Sequence, residues 1–279
     1  MPTNGQLVHF AGNTIRFNAN HAGLLEAVGV HFENCLGADG PVISDYKITT
    51  VRDTEFAVSR NGGDLFSKLS LEQTLFQLMQ DGLTQLNGAS TTELIFHAAA
   101  LAHLERGLIL CGQSGSGKSS LTAWLVANGM QYLTDEVISL PTESDMISGF
   151  CRSMILKRGS AFIWRHWLPQ SESNGLLQFS DGTAWVAPTL LNASAVRSQV
   201  VPCLLIFPRY VEGAQFQVER LSSAQTLFRL LQCLVNARNF PNHGMAATTR
   251  LAQNVSAISM TYSDIEIATQ WIQQTIAAE

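Results

Sequence analysis

One short loop constrains this chain more than any other feature. Gly112-Gln113-Ser114-Gly115-Ser116-Gly117-Lys118-Ser119 matches GxxxxGK[ST] at every fixed position. Glycines without a Cβ let the backbone curl until successive N–H groups face inward, a nest for anionic oxygens. The helix that follows adds its positive end, and a lysine at its start brings a movable charge to β- and γ-phosphates. The Ser119 hydroxyl is placed to ligate Mg²⁺. The setting fits: an apolar run from Leu108 to Cys111 precedes the loop, and a helical pattern from Lys118 to Asn128 follows, ended by Gly129. The binding set is therefore Gly112, Ser114, Gly115, Ser116, Gly117, Lys118, Ser119 and Ser120, with a nucleoside triphosphate as ligand. A structural Gly/Ser turn is the competing reading.

Further along, Asp135 and Glu136 interrupt the apolar segment Tyr132 to Leu140. Two acids inside such a strand are costly to bury unless a cation or a proton donor stands beside them. Strand alternation sends neighbours to opposite faces, so one can bind Mg²⁺ while the other meets an acceptor hydroxyl. A solvated strand-end pair is the plainer alternative.

Composition narrows the rest. The chain has 279 residues, 46% of them hydrophobic and only 14% charged, with a formal net charge of −5. Disorder is excluded, because it needs few apolar side chains and many charges. No global basic field exists to hold nucleic acid or an anionic membrane. The most apolar stretches, Leu94 to Leu104 and Val200 to Phe207, are far shorter than the ~20 residues a bilayer span needs. The amino terminus lacks a signal-peptide pattern. Five scattered cysteines, with no CxxC pair, read as free thiols in a reducing cytoplasm.

Periodicity divides the chain near residue 90. Residues 1 to 90 read as a small α+β domain: a hairpin about Gly12-Asn13, a short helix from Leu24 to Phe32, strands at Lys47 to Val51 and Glu55 to Val58, and a helix opened by a Ser70/Gln73 capping box. Residues 91 to 279 hold the loop. There, Glu93 to His103 reads as one apolar strand, turning at Glu105-Arg106-Gly107 too tightly for a helical crossover, so it pairs antiparallel with the strand before the loop. A buried strand spans Cys203 to Phe207. Helices follow from Ser222 and Asp264, with capping boxes assigned to Ser222/Gln225 and Ser263/Glu266, and a strand at Ala257 to Tyr262 lies between them.

The stretch His97 to Leu140 resembles the catalytic domain of the HPr kinase/phosphorylase family and its HPr-kinase-related relatives. A His precedes the first loop glycine by fifteen positions in that family, and an acidic pair begins twenty-three after it. His97 to Gly112 and Gly112 to Asp135 reproduce both intervals. Leu156-Lys157-Arg158-Gly159, Phe207-Pro208-Arg209-Tyr210 and His243-Gly244 are similar to the related kinases.

The resemblance implies an α/β fold: a mixed-sheet P-loop kinase core of the HPr kinase/phosphoenolpyruvate carboxykinase type beside the small N-terminal domain. It implies an ATP- and Mg²⁺-dependent cytoplasmic kinase acting on a serine hydroxyl of a small protein or peptide, and an assembly of several copies. Asp135 would be the general base, Lys118 and Ser119 would hold phosphates and Mg²⁺, Glu136 would be a metal ligand, and His97 would lie near the phosphates. His97 as a satisfied core histidine is the alternative. Arg209 would neutralise charge, or else close a salt bridge at a strand end. The namesake enzymes carry a Glu-containing signature tied to phosphorolysis. The corresponding Met154 to Gly159 has no acid, which points to a kinase without an efficient reverse reaction, and Lys157 and Arg158 would attract phosphate or an acidic acceptor. His243 and Arg250 are weaker candidates. Trp164, Trp167 and Trp185 form either a peptide surface or ordinary core. A nucleotide-binding regulatory module without turnover and a plain NTP hydrolase are the rival functions.

Overall fold

The computed structural model describes residues 5–52, 54–113, 115–168 and 174–279. Its backbone contacts divide into two units, Met1–Ser90 and Thr91–Glu279.

The first unit is a five-stranded sheet with two helices. Strands β1 (Gln6–Phe10) and β2 (Asn13–Ala19) form the hairpin, with Ala11 and Gly12 at positive φ in its turn. Helix α1 (Ala22–His31) leads to β3 (Val42–Arg52), β4 (Glu55–Arg60) and β5 (Gly63–Leu69) in the order β1-β2-β3-β4-β5. Only β2 and β3 run parallel. Helix α2 (Leu71–Ala89) opens with the Ser70/Gln73 capping box and buries Leu75, Leu78, Met79, Leu83 and Leu86. Strand β5 was not legible in the sequence: none of its residues is buried, so no alternation marks it.

In the second unit, β6 (Glu93–Phe96), β7 (Ala98–His103) and β8 (Arg106–Cys111) lead to helix α3 (Lys118–Ala127). Strands β9 (Gln131–Thr134), β10 (Ile138–Pro141), β11 (Ile147–Gly149) and β12 (Met154–Leu156) come next, then helix α4 (Ala161–Trp167). Strands β13 (Leu176–Gln178) and β14 (Ala184–Val186), helix α5 (Pro188–Leu191), and strands β15 (Gln199–Val200), β16 (Pro202–Tyr210) and β17 (Gln217–Arg220) follow. The unit closes with α6 (Ser223–Cys233), α7 (Met245–Asn254), β18 (Ser256–Tyr262) and α8 (Ile265–Ala278). Among the described residues three sheets result, of six (β17-β18-β16-β8-β7-β9), four (β15-β11-β10-β6) and three strands (β12-β14-β13).

The six-stranded sheet is mixed. Strand β16 runs parallel to β8 and β18, while β7 is antiparallel to both β8 and β9. Every residue from Ala98 to Ala102 and from Leu108 to Cys111 is fully buried, which explains why these strands read as continuous apolar runs rather than alternating ones.

This topology gathers one edge. The carboxyl ends of β8, β16, β18 and β9 share it with the amino end of β7, the kind of edge where α/β sheets hold ligands.

Several expectations need correction. The apolar stretch Glu93 to His103 is two strands in two different sheets, broken at His97, whose N–H donates to the Cys233 carbonyl at 2.7 Å instead of a ladder partner. The segment Tyr132 to Leu140 is likewise broken at Asp135–Val137. The Thr134 hydroxyl accepts the N–H groups of Glu136 (3.1 Å) and Val137 (3.3 Å), a side-chain turn that ends the strand. Strand β16 continues past Pro208 to Tyr210. The last helix is capped by Asp264, which accepts from Glu266 and Ile267, while the Ser263 hydroxyl donates to the Ala214 carbonyl. Helix α7 stands where no helix was expected.

Candidate functional site

The loop leaves β8 and closes onto α3. Gly117 is the N-cap of α3 at φ 87°, and Gly115 lies at φ 86°. Both angles suit glycine alone. A Cβ on Gly117 would collide with the Tyr262 hydroxyl, whereas one on Gly115 would meet open space. Tyr262 ends β18 and its hydroxyl donates to the Gly117 carbonyl at 3.3 Å. The Tyr210 N–H at the end of β16 donates to the Ser116 carbonyl at 3.0 Å. Two parallel strand ends thus hold the loop from below. The Ser116 N–H is already given to the Gln113 carbonyl (3.1 Å). The amides of Lys118, Ser119 and Ser120 have no partner inside the helix, because they occupy its first turn. Ser114 lies outside the described residues.

Lys118 is the first residue of α3 and only 7% exposed. Its Nζ sits 3.0 Å from His97 Nε2. Among the described residues no carboxylate comes within ion-pairing distance of it. Burial pulls the lysine pKa down, opposed by the more distant charges of Glu136 and Asp135. A buried ammonium answered by an imidazole alone is incompletely compensated. It fits a polyanion arriving from the open side at Gly115. The Ser116 Oγ, buried and without a hydrogen-bond partner among the described residues, adds a polar atom to the same loop.

His97 links this lysine to the acids. With the ammonium donating to Nε2, the ring carries its hydrogen on Nδ1, which faces Glu136 Oε1 at 3.4 Å. Burial and the Lys118 charge both lower the His97 pKa, so the neutral ring is favoured.

The two acids converge rather than diverge. The bend at Thr134 removes strand alternation, and both carboxylates meet Arg152. Its Nη2 lies 2.9 Å from Glu136 Oε2 and its Nη1 lies 3.4 Å from Asp135 Oδ1. The Arg152 side chain is 1% exposed. Burial alone would lower the Arg152 pKa, but Asp135 and Glu136 together raise it. The Tyr132 hydroxyl donates to Asp135 Oδ1 at 2.8 Å and accepts the Asp135 N–H at 3.1 Å. Burial and the Asp135 charge push that phenol well above its ordinary pKa. Asp135 is 2% exposed, whereas the Glu136 side chain is 29% exposed. Glu136 is therefore the more open carboxylate, and it is the one that faces His97.

The remaining candidates divide cleanly. Arg209, at the end of β16, is exposed one residue from the loop contact and forms no ion pair among the described residues. Lys157 and Arg158 are exposed beside the first turn of α3, where Ser120 Oγ and Ser160 Oγ stand 2.6 Å apart. Ser120 thus offers the loop its amide, not its hydroxyl. Arg250 is committed to Asp145 (2.8 Å) and to the carbonyls of Thr142 and Ser144, so it is a structural tie. His243 is exposed at φ 55° in the turn before α7. Trp164 and Trp185 are buried in the core, and only Trp167 is open. Sequence reasoning missed Arg152 and Tyr132. The signal was the demand of two strand acids for a cation, but a lone arginine between Cys151 and Ser153 carries no periodic mark.

No protein-family model matches the chain, and no curated protein matches it. Among solved structures, the HPr(Ser) kinase/phosphatase from Coxiella burnetii is similar over 65% of this chain and 95% of its own, at 15% sequence identity and a TM-score of 0.34. At that TM-score the chemistry rests on this chain's own residues.

Proposed function

We propose that the second unit is a nucleotide-dependent phosphotransferase that moves a phosphoryl group to a hydroxyl, most simply a serine of a small protein or peptide. The observation that carries this reading is the relay Lys118–His97–Glu136–Arg152–Asp135, which joins the buried lysine of the glycine loop to two carboxylates. Bound ATP with Mg²⁺ would supply the phosphoryl group and part of the charge neutralisation. The loop amides and Lys118 would hold the phosphates, and the Ser119 hydroxyl would be a ligand of the metal.

A hydroxyl attacks only if its proton has somewhere to go. The exposure of the two acids favours Glu136 for that task over Asp135, reversing the roles that the resemblance implies. Asp135, held by Tyr132 and Arg152, positions the arginine that orients Glu136. In a second reading Asp135 exchanges Arg152 for the acceptor hydroxyl and Glu136 joins Ser119 at the metal. Arg209 and Lys157 stand ready at the rim for developing or incoming negative charge. The lack of an acid from Met154 to Gly159 favours transfer without efficient phosphorolysis.

Incubation with γ-labelled ATP, Mg²⁺ and a pool of seryl peptides tests the reading. Label should appear on serine, and Glu136→Gln should cut transfer by about 10²-fold or more with ATP affinity kept. If Asp135→Asn gives that pattern and Glu136→Gln instead loses metal-dependent affinity, the second reading holds. ATP binding with no label on any peptide would make the chain a nucleotide-responsive module. Phosphate release at the same rate without acceptor would make it a hydrolase.

A further inference from the structure

The segment after Arg152 builds a surface that the loop itself does not need. No Asp or Glu lies between Asp145 and Glu172, while Lys157, Arg158 and Arg165 all fall there, in a chain of net charge −5. All three are exposed, and among the described residues none forms an ion pair. The Arg165 guanidinium lies over the Trp164 ring, 5.1 Å from its centroid. Gly182 packs against the Arg158 stem, and the carboxylate of the neighbouring Asp181 accepts the Thr183 N–H.

Large apolar rings stand open on the same segment. Phe162 is 52% exposed and Trp167 is 39% exposed. Both lie about 6 Å, centroid to centroid, from Trp124 of α3 (6.0 and 6.2 Å). Ser120 and Trp124 are one helical turn apart on α3, so this face starts at the first turn after the loop and runs about 6 Å along the helix. The Ser120–Ser160 contact ties its near end to the loop. Lys157 and Arg158 at the near end, and the rings with Arg165 on α4 at the far end, form a two-part surface adjoining the place where a phosphoryl group would be transferred.

We infer that this face docks the phosphoryl acceptor as an acidic peptide segment, its carboxylates on Lys157, Arg158 and Arg165 and one aromatic or aliphatic side chain on Phe162 and Trp167. This rests on the proposed phosphotransfer for its purpose, but its binding step does not require turnover. Charge complementarity selects the occupant: a local positive surface on an acidic chain repels basic segments and attracts acidic ones.

The test uses the full chain and a fluorescently labelled acidic peptide with one serine and one phenylalanine, read by polarisation. The acidic peptide should bind, weaken as salt rises, and beat a basic peptide of equal length. Lys157→Glu/Arg158→Glu should weaken it about tenfold or more, and Phe162→Ala/Trp167→Ala about tenfold, with circular dichroism unchanged. Equal binding of acidic and basic peptides, or no binding, overturns the inference. So does a self-associating chain whose sedimentation shifts with Phe162→Asp while the peptide stays free. Anionic vesicles binding in place of the peptide overturn it as well. Peptide bound with these preferences but never phosphorylated would contradict the phosphotransfer reading alone. Transfer that ignores peptide charge and these substitutions would contradict the docking inference alone.

Discussion

Arg152 holds Glu136 at 2.9 Å from a position that is 1% exposed, and its other terminal nitrogen faces Asp135 at 3.4 Å. An arginine so placed neutralises the buried Asp135 and the partly exposed Glu136 at the bend after β9. Removing one side of such a cluster leaves uncompensated charge. Arg152→Met should therefore destabilise the second unit by about 3–5 kcal/mol, measured by urea denaturation. Tyr132→Phe, which strips Asp135 of a donor and an acceptor, should cost about 1–3 kcal/mol. A loss below ~1 kcal/mol for Arg152→Met would show that the cluster does not hold the acids in place.

Lys118 points the other way. Its ammonium is buried and, among the described residues, meets an imidazole and no carboxylate, and burial lowers its pKa. On the proposed reading the fold carries that charge for a ligand, not for itself. Lys118→Met should leave the nucleotide-free protein as stable as the parent or more stable, by about 1 kcal/mol, in the same denaturation experiment. A large loss of stability would make Lys118 a structural cation.

The two left-handed glycines separate conformational strain from collision. Gly115→Ala meets open space and should cost only the left-handed penalty, about 1–2 kcal/mol. Gly117→Ala meets that penalty and also the Tyr262 hydroxyl, so it should cost more and distort the loop. Thermal unfolding of the two variants ranks them. Equal costs would mean that Tyr262 yields freely.

Burial pushes the Cys151 thiol up to about 12, with a smaller contribution from Asp135. A raised acid keeps its proton in the fold while the unfolded chain loses it. Stability from this group is thus intact below the unfolded thiol value near 9 and is lost as pH rises toward 12. Relative to Cys151→Ala, the parent should lose up to about 1.4 kcal/mol per pH unit in that window. Parallel pH profiles for the two proteins would contradict the assignment.

Much of this was legible because local chemistry decided it. The strand–loop–helix around Lys118, the antiparallel return at Glu105–Gly107, and the Ser70 and Ser222 capping boxes each depend on a few adjacent residues. The bends at His97 and Asp135 were not legible, because each exchanges a ladder bond for a partner that only the tertiary fold supplies or for the Thr134 hydroxyl. Those same bends bring His97, Asp135 and Glu136 to the loop. Arg152 was hidden for a related reason: its partners lie 16 and 17 residues back in the chain, across a turn of the sheet.

Calorimetric titration of ATP with Mg²⁺ into the parent protein and Lys118→Met tests the central claim most directly. The geometry predicts one site in the parent and none detectable in the variant, with both proteins folded. Equal heats for the two, or no heat for the parent, would contradict it.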